Sequence, residues 1–392
     1  MSARHEQPDA VLHEELKISL GQDGHPDPET IANKIGQLDQ LMSLTGTRQL
    51  YRELDADFNG LGPLEKFLTD PCVTDVLVDP DGKVWVDSDR GLSLAQESPL
   101  SEVVRRRLAV KIIANAGKRL DESVPFADVN CGRYRFHAVI PPISPTGTTI
   151  SVRVHRKDSP TLAELQASWP DREVWLAVLQ TLVLGRHNFL ISGATGSGKT
   201  TLLAAALSLV APAERILIVE DALELRPAHP QTLSLQTRPP NIEGSGTIEL
   251  SELIRQALRM RPDRLIVGEC RGAEIKDFLT AMNTGHAGAG GTLHANSVAA
   301  VPARLIAMGS LAGMSPETTA LQAGSALEFV LHVDRTAQGR RPVEFAKLAV
   351  DQHRLVVHPL LRYQPAEPGE KQRLSSGKDW QDFARSMDRY AT

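Results

Sequence analysis

Residues 193–200 read Gly-Ala-Thr-Gly-Ser-Gly-Lys-Thr, an outer pair of glycines with four residues between them followed directly by Lys-Thr. Glycine lets successive backbone N–H groups turn inward around phosphate oxygens. A lysine at this spacing reaches the β- and γ-phosphates, and the adjoining hydroxyl is a Mg²⁺ ligand. The expected cradle is therefore Gly193, Thr195, Gly196, Ser197, Gly198, Lys199, Thr200 and Thr201, with ATP and Mg²⁺ as cofactors. The bland alternative is a glycine-rich turn with a chance lysine. It does not explain the apolar strand pattern Phe189-Leu190-Ile191-Ser192 just before, or the helix-forming run Thr201 to Leu207 just after. A strand, a glycine loop and a helix N-terminus together make an anion site.

Splitting a phosphoanhydride also needs a group to orient or deprotonate water, and a carboxylate near the metal. Two apolar runs end in acids. Ile216-Leu217-Ile218-Val219 leads into Glu220-Asp221-Ala222-Leu223-Glu224, and Leu265-Ile266-Val267-Gly268 leads into Glu269. Ligands of open parallel sheets sit beyond the carboxyl ends of the strands. A carboxylate ending a buried strand is costly unless a cation meets it. Glu220 and Glu269, with Thr200, are thus the expected metal-facing set; the alternative is solvated acids in ordinary loops. His294 closes a third short run, Thr292-Leu293-His294, and taken alone reads as an ordinary strand-end histidine. Arg133, Arg135, Arg153 and Arg156 precede the loop region. They read equally as phosphate-directed groups or as an exposed basic sheet face. Arg105-Arg106-Arg107 reads as a solvated helix face, while Arg255, Arg259, Arg261, Arg264 and Arg271 are not sorted between phosphate, neighbour and local pairing.

The surrounding elements divide the chain. Residues 1–45 are polar, with Asp27-Pro28-Glu29 suited to open a helix. Residues 46–157 read as an α+β domain. Val73 to Val78 and Lys83 to Val86 form a hairpin around Asp79-Pro80-Asp81-Gly82, helical spacing runs from Ser101 to Ala116, and strands follow at Tyr134–Ile140 and Thr149–Val154. Residues 158–170 read as a linker. Residues 171–350 alternate apolar strands and helices, the pattern of a buried parallel sheet. Residues 351–392 are mixed and charged, and read as an extension.

Composition narrows the class. The chain has 392 residues, 41% hydrophobic and 23% charged, as in globular proteins. Its 43 basic and 48 acidic residues leave a net charge of −5, and aromatics are 4%, so no direct DNA binding is expected. Three cysteines make neither a disulfide framework nor a metal set. The acidic start carries no signal-peptide core, and Trp175 to Leu184 is too short to span a bilayer. A cytoplasmic location is expected.

With these motifs in place, the chain resembles the type II/type IV secretion ATPase superfamily. Leu253 to Glu269 followed by Arg271-Gly272-Ala273-Glu274 looks like its Walker B region, in which the strand ends Gly-Glu. Val219-Glu220-Asp221 with Glu224 resembles its Asp box, and Thr284 to Gly288 with Gly291 to Ser297 its His box. Leu61-Gly62-Pro63-Leu64-Glu65, Lys118 to Glu122, and Tyr134 to Pro142 resemble its N-terminal domain. The branch most similar is the CpaF/TadA-like ATPases of tight-adherence (Flp) pili. The resemblance implies a RecA-like P-loop NTPase domain preceded by a smaller, PAS-like α+β domain. It implies Glu224 as general base, Glu269 near Mg²⁺ or the γ-phosphate, and His294 as the link between nucleotide state and the neighbouring segment. It matches Arg135 and Arg153 to positions that close over nucleotide. It further implies a homohexameric ring, peripheral at the cytoplasmic membrane, working on inner-membrane platform proteins in pilus assembly or secretion. The alternatives are the ATPase of a conjugation apparatus and a nucleotide-responsive structural subunit with little turnover. Residues 287–291, Ala-Gly-Ala-Gly-Gly, depart from the more polar loop of the family.

Overall fold

The computed structural model describes residues 28–36, 60–70, 72–88, 90–96, 98–154, 159–238, 245–336, 339–364 and 373–390. The chain divides into two compact units, Met1–Lys157 and Asp158–Thr392.

In the first unit, helix α1 (Pro28–Gly36) buries Ile31 and Ile35, which lie one turn apart. The rest of the 1–45 segment lies outside the described residues, as does Arg156. Strands β1 (Val73–Val78), β2 (Val84–Ser88) and β3 (Ser93–Gln96) precede helix α2 (Glu102–Asn115). Strands β4 (Phe126–Cys131), β5 (Tyr134–Val139) and β6 (Thr149–Val154) follow. They make one antiparallel sheet, ordered β3-β2-β1-β6-β5-β4. The expected hairpin is present, its turn closed by Gly82 at φ +88°, a conformation that glycine adopts freely. Ser101 caps α2 by accepting the Val104 N–H, and Leu108, Ile112 and Ile113 of α2 join the core of the sheet.

Arg105 corrects the expectation of a solvated arginine run. It is buried, donates to the carbonyls of Thr148, Leu100 and Pro80, and pairs with Glu102. A forked guanidinium suits three convergent carbonyls. A run of three like charges does not reveal which of them turns inward.

The second unit runs α3 (Leu162–Gln166), α4 (Arg172–Leu184), β7 (Phe189–Gly193), α5 (Lys199–Leu207), β8 (Ile216–Glu220), β9 (Thr232–Gln236), α6 (Leu250–Leu258), β10 (Arg264–Cys270) and α7 (Ile275–Asn283). It continues with β11 (Gly290–His294), α8 (Val301–Leu311), α9 (Pro316–Ala326), β12 (Phe329–Thr336), β13 (Gly339–Asp351), β14 (Arg354–Tyr363), β15 (Leu374–Ser376) and α10 (Trp380–Met387). Its sheet is ordered β15-β14-β13-β12-β7-β11-β10-β8-β9. From β12 to β9 every pair is parallel, and from β12 to β15 every pair is antiparallel. Alternate residues of the central strands enter opposite cores. Leu217, Val219, Leu265 and Val267 pack with α6 to α9, whereas Ile216, Ile218 and Ile266 pack with α4, α5 and α10. Burial on both faces explains why these strands read as continuous apolar runs.

Residues 351–392, expected as an extension, begin at a hairpin. Gln352 and His353, at φ +45° and +62°, turn the chain so that β14 pairs with β13. The mixed texture is that of antiparallel strands, with Leu355, Leu360 and Leu361 buried and Arg354, His358 and Arg362 exposed. Among the described residues no single helix is long and apolar enough to cross a membrane.

Candidate nucleotide site

β7 delivers the chain into the glycine loop, and α5 starts at Lys199. Gly196 and Gly198 adopt φ of +73° and +94°, which a side chain would strain. At Gly193 a Cβ would lie 2.3 Å from the Val333 carbonyl oxygen, so only glycine lets the loop rest against β12. Thr195 is exposed, and Thr200 and Thr201 are half-buried in the first turn of α5. The Ser197 hydroxyl is buried with no hydrogen-bond partner. Lys199 is 6% exposed, and burial lowers the pKa of its ammonium. A buried cation, an unclaimed buried hydroxyl and the free N–H groups of a helix N-terminus suit a polyanion.

Lys199 joins this loop to the acids. Its Nζ donates to the Ala194 carbonyl at 2.8 Å and stands 3.4 Å from Nδ1 of His294, at the end of β11. Nε2 of His294 stands 2.7 Å from Oε1 of Glu269, at the end of β10. The other Glu269 oxygen meets Arg271 at 2.5 Å, and Arg271 reaches Asp221 beyond β8 at 3.9 Å. Four strand ends thus share one polar circuit. Burial, helped by Lys199 and Arg271, lowers the His294 pKa, although Glu269 opposes this. That direction favours the neutral imidazole between Lys199 and Glu269.

Glu220 lies deeper, 3% exposed. Its Oε1 accepts the N–H groups of Glu224 at 3.2 Å and Leu225 at 2.9 Å, while Oε2 is buried without a partner. Burial pushes its pKa up to about 7, against the pull of those two amides. Gly268 makes room for it, since a Cβ there would stand 2.5 Å from the Glu220 Cγ. The orphaned Glu220 oxygen fits a cation. Thr200 and Glu269 carry oxygens of the same hard type, which suit Mg²⁺ together with water and phosphate oxygens. Among the described residues no group of three or more His, Cys, Asp and Glu is placed to hold a metal ion. A bound Mg²⁺ would supply charge neutralisation at the phosphates. Glu224 is exposed on the loop after β8, within electrostatic reach of Lys199.

The glycines of 287–291 answer to crowding. A Cβ on Gly288 would lie 2.3 Å from the Arg264 guanidinium, and one on Gly291 would lie 2.7 Å from the Val267 carbonyl. They let β11 slip between β7 and β10 and bring His294 level with the loop. The unsorted arginines separate. Arg264 is buried on Glu214, Arg255 pairs with Glu252 and Asp277, and Arg271 alone of these joins the site. In the first unit, Arg135 forks onto Asp128 and Arg153 pairs with Asp75. The two arginines face each other across β5 and β6. The sequence reading missed Arg340 of β13, whose Nε donates to the Gly196 carbonyl at 2.8 Å. It also missed the buried Ser192–His332 bond behind the loop, at 2.9 Å. Neither carries a motif.

Comparison with known proteins places the chain in a family. The sequence profile of the type II/IV secretion system protein family matches residues 57–339. A protein of Mycobacterium tuberculosis, provisionally named for conjugal transfer, is 44% identical over 306 residues, covering 76% of this chain and 86% of the relative. The conjugal transfer protein TrbB of Rhizobium radiobacter is 30% identical over 282 residues, covering 70% and 83%. Among solved structures, the Legionella pneumophila ATPase DotB superposes with a TM-score of 0.51 at 22% identity, covering 74% of this chain and 80% of that one.

Proposed function

Because the chain belongs to the type II/IV secretion system protein family, we propose that it is an ATPase that hydrolyses ATP with Mg²⁺ and converts the cycle into motion. The observation that carries this reading is the circuit from Lys199 through His294 to Glu269 and Arg271. It ties the phosphate-binding lysine to the carboxylates that would handle metal and water, so occupancy at one end is felt at the other. Gly193, Thr195, Gly196, Ser197, Gly198, Thr200 and Thr201 cradle the nucleotide, and Thr200, Glu220 and Glu269 meet the metal. Glu224, exposed and near Lys199, acts as the base. Arg135 and Arg153 are proposed to neutralise phosphoryl charge. The strand order, with β11 between the loop strand β7 and the acid strand β10, supports a RecA-like domain. We place a PAS-like domain before it, and read the working form as a homohexamer at the cytoplasmic membrane acting on inner-membrane platform proteins. The motif resemblance supports a tight-adherence pilus system. The names of the relatives favour a second reading, service in a conjugal transfer apparatus. Turnover strongly stimulated by single-stranded DNA would select the second.

The binding step has its own test. Titration calorimetry should show ATP with Mg²⁺ binding to the wild type, and affinity falling by about 10²-fold or more in Lys199→Ala, which removes a charge-assisted phosphate contact. Equal affinities would remove the lysine from the site.

A further inference from the structure

Lys199 and Arg340 hold the same stretch of backbone from opposite sides. The Ala194 carbonyl accepts both the Lys199 ammonium at 2.8 Å and the Ser197 N–H at 3.3 Å. That N–H belongs to the Gly196–Ser197 peptide, whose carbonyl accepts Nε of Arg340 at 2.8 Å. The stem of Arg340 lies over Gly198, where an added Cβ would come within 3.2 Å of its Cδ. Arg340 is also held from behind, because its own carbonyl accepts the indole N–H of Trp169 at 3.1 Å. Trp169 is buried, and the next residue, Pro170, gives its carbonyl to the Tyr363 hydroxyl at 3.0 Å. The N-terminal segment of the second unit is therefore bonded, through one arginine, to the glycine loop.

We propose that Arg340 is a positioning residue that reports the state of the glycine loop to segment 162–171. This rests on the nucleotide reading of that loop. When Lys199 and the Ser197 N–H leave the Ala194 carbonyl for a phosphate, the 196–197 peptide plane turns. Its carbonyl turns with it, and Arg340 must follow or release it. The two hydrogen bonds of Arg340, one through its side chain and one through its carbonyl, then carry the change to Trp169. The covalent route to the first unit passes through this segment, so the contact carries the state of the loop to the start of the second unit.

Amide hydrogen exchange with and without ADP and Mg²⁺, on the full chain, tests this. In the wild type, exchange in residues 194–201 should slow, and exchange in 162–171 should change by about threefold or more. Arg340→Met keeps the stem over Gly198 and removes the donor. It should retain the loop response and lose the response of 162–171, with Arg340→Lys restoring part of it. Trp169→Phe, which removes the indole N–H along with part of the buried ring system, should lose the same response by a different perturbation and guards against a poorly folded arginine variant. A wild-type loop response with 162–171 unaffected, or an undiminished 162–171 response in both Arg340→Met and Trp169→Phe, overturns the relay and leaves the nucleotide reading standing. No loop response in the wild type overturns both.

Discussion

At the scale of single residues, the site is defined by groups whose ordinary charge state is made costly. Lys199 is buried and rests on a carbonyl and a neutral histidine, arrangements that a phosphate would replace. His294 is the hinge of that exchange, standing between the lysine and Glu269. His294→Ala should lower kcat by about 10- to 100-fold while KM for ATP changes by less than about threefold, because it orients Glu269 rather than the nucleotide. Steady-state kinetics separates the two parameters. Glu220 predicts a pH effect with a definite sign. Its folded pKa of about 7 lies above the unfolded value of 4.5. Below pH 4.5 both states hold the proton. Between 4.5 and 7 the unfolded chain ionises first and stability falls, and above 7 the loss is complete. Glu220→Gln should therefore stabilise the metal-free protein at pH 8 by up to about 3 kcal/mol, and by much less at pH 5. Urea denaturation at the two pH values measures the difference.

At the scale of elements, the acids work because their strands end together. β7, β8, β10 and β11 stop within one layer, and glycines allow the approach. Gly268→Ala would push a methyl against the Glu220 side chain. It should cost about 1–3 kcal/mol of stability, a melting shift of several degrees, and reduce turnover beyond what that loss explains. Much of this layer was legible in the chain, for a physical reason. Strands buried on both faces write unbroken apolar runs, and an acid at the end of such a run stands out. β14 and β15 were not legible, because an antiparallel strand with one half-solvated face looks like a charged tail. β3 and β4, the two edge strands of the first sheet, were missed for a similar reason. Arg340 could not be read at all. Its contact with Gly196 spans 144 residues and depends on where β13 lands.

At the scale of the whole molecule, the near-neutral charge of −5 conceals a local arrangement, with arginines held by acids in one unit and a buried lysine among carboxylates in the other. The motifs located this chemistry. The partners of the arginines needed coordinates, since charge runs do not record direction. Ring assembly makes a separate prediction. Sedimentation velocity with ATP and Mg²⁺ should show a species of about six times the monomer mass, as closed symmetry requires of a six-membered ring. A monomer at all concentrations would exclude the ring. The central claim is that the circuit around Lys199 splits ATP, and phosphate release by the purified, assembled chain tests it most directly. The account predicts turnover that requires Mg²⁺, disappears in Lys199→Ala, and gives way to bound, unhydrolysed ATP in Glu269→Gln. Phosphate release that persists unchanged in Lys199→Ala would contradict it.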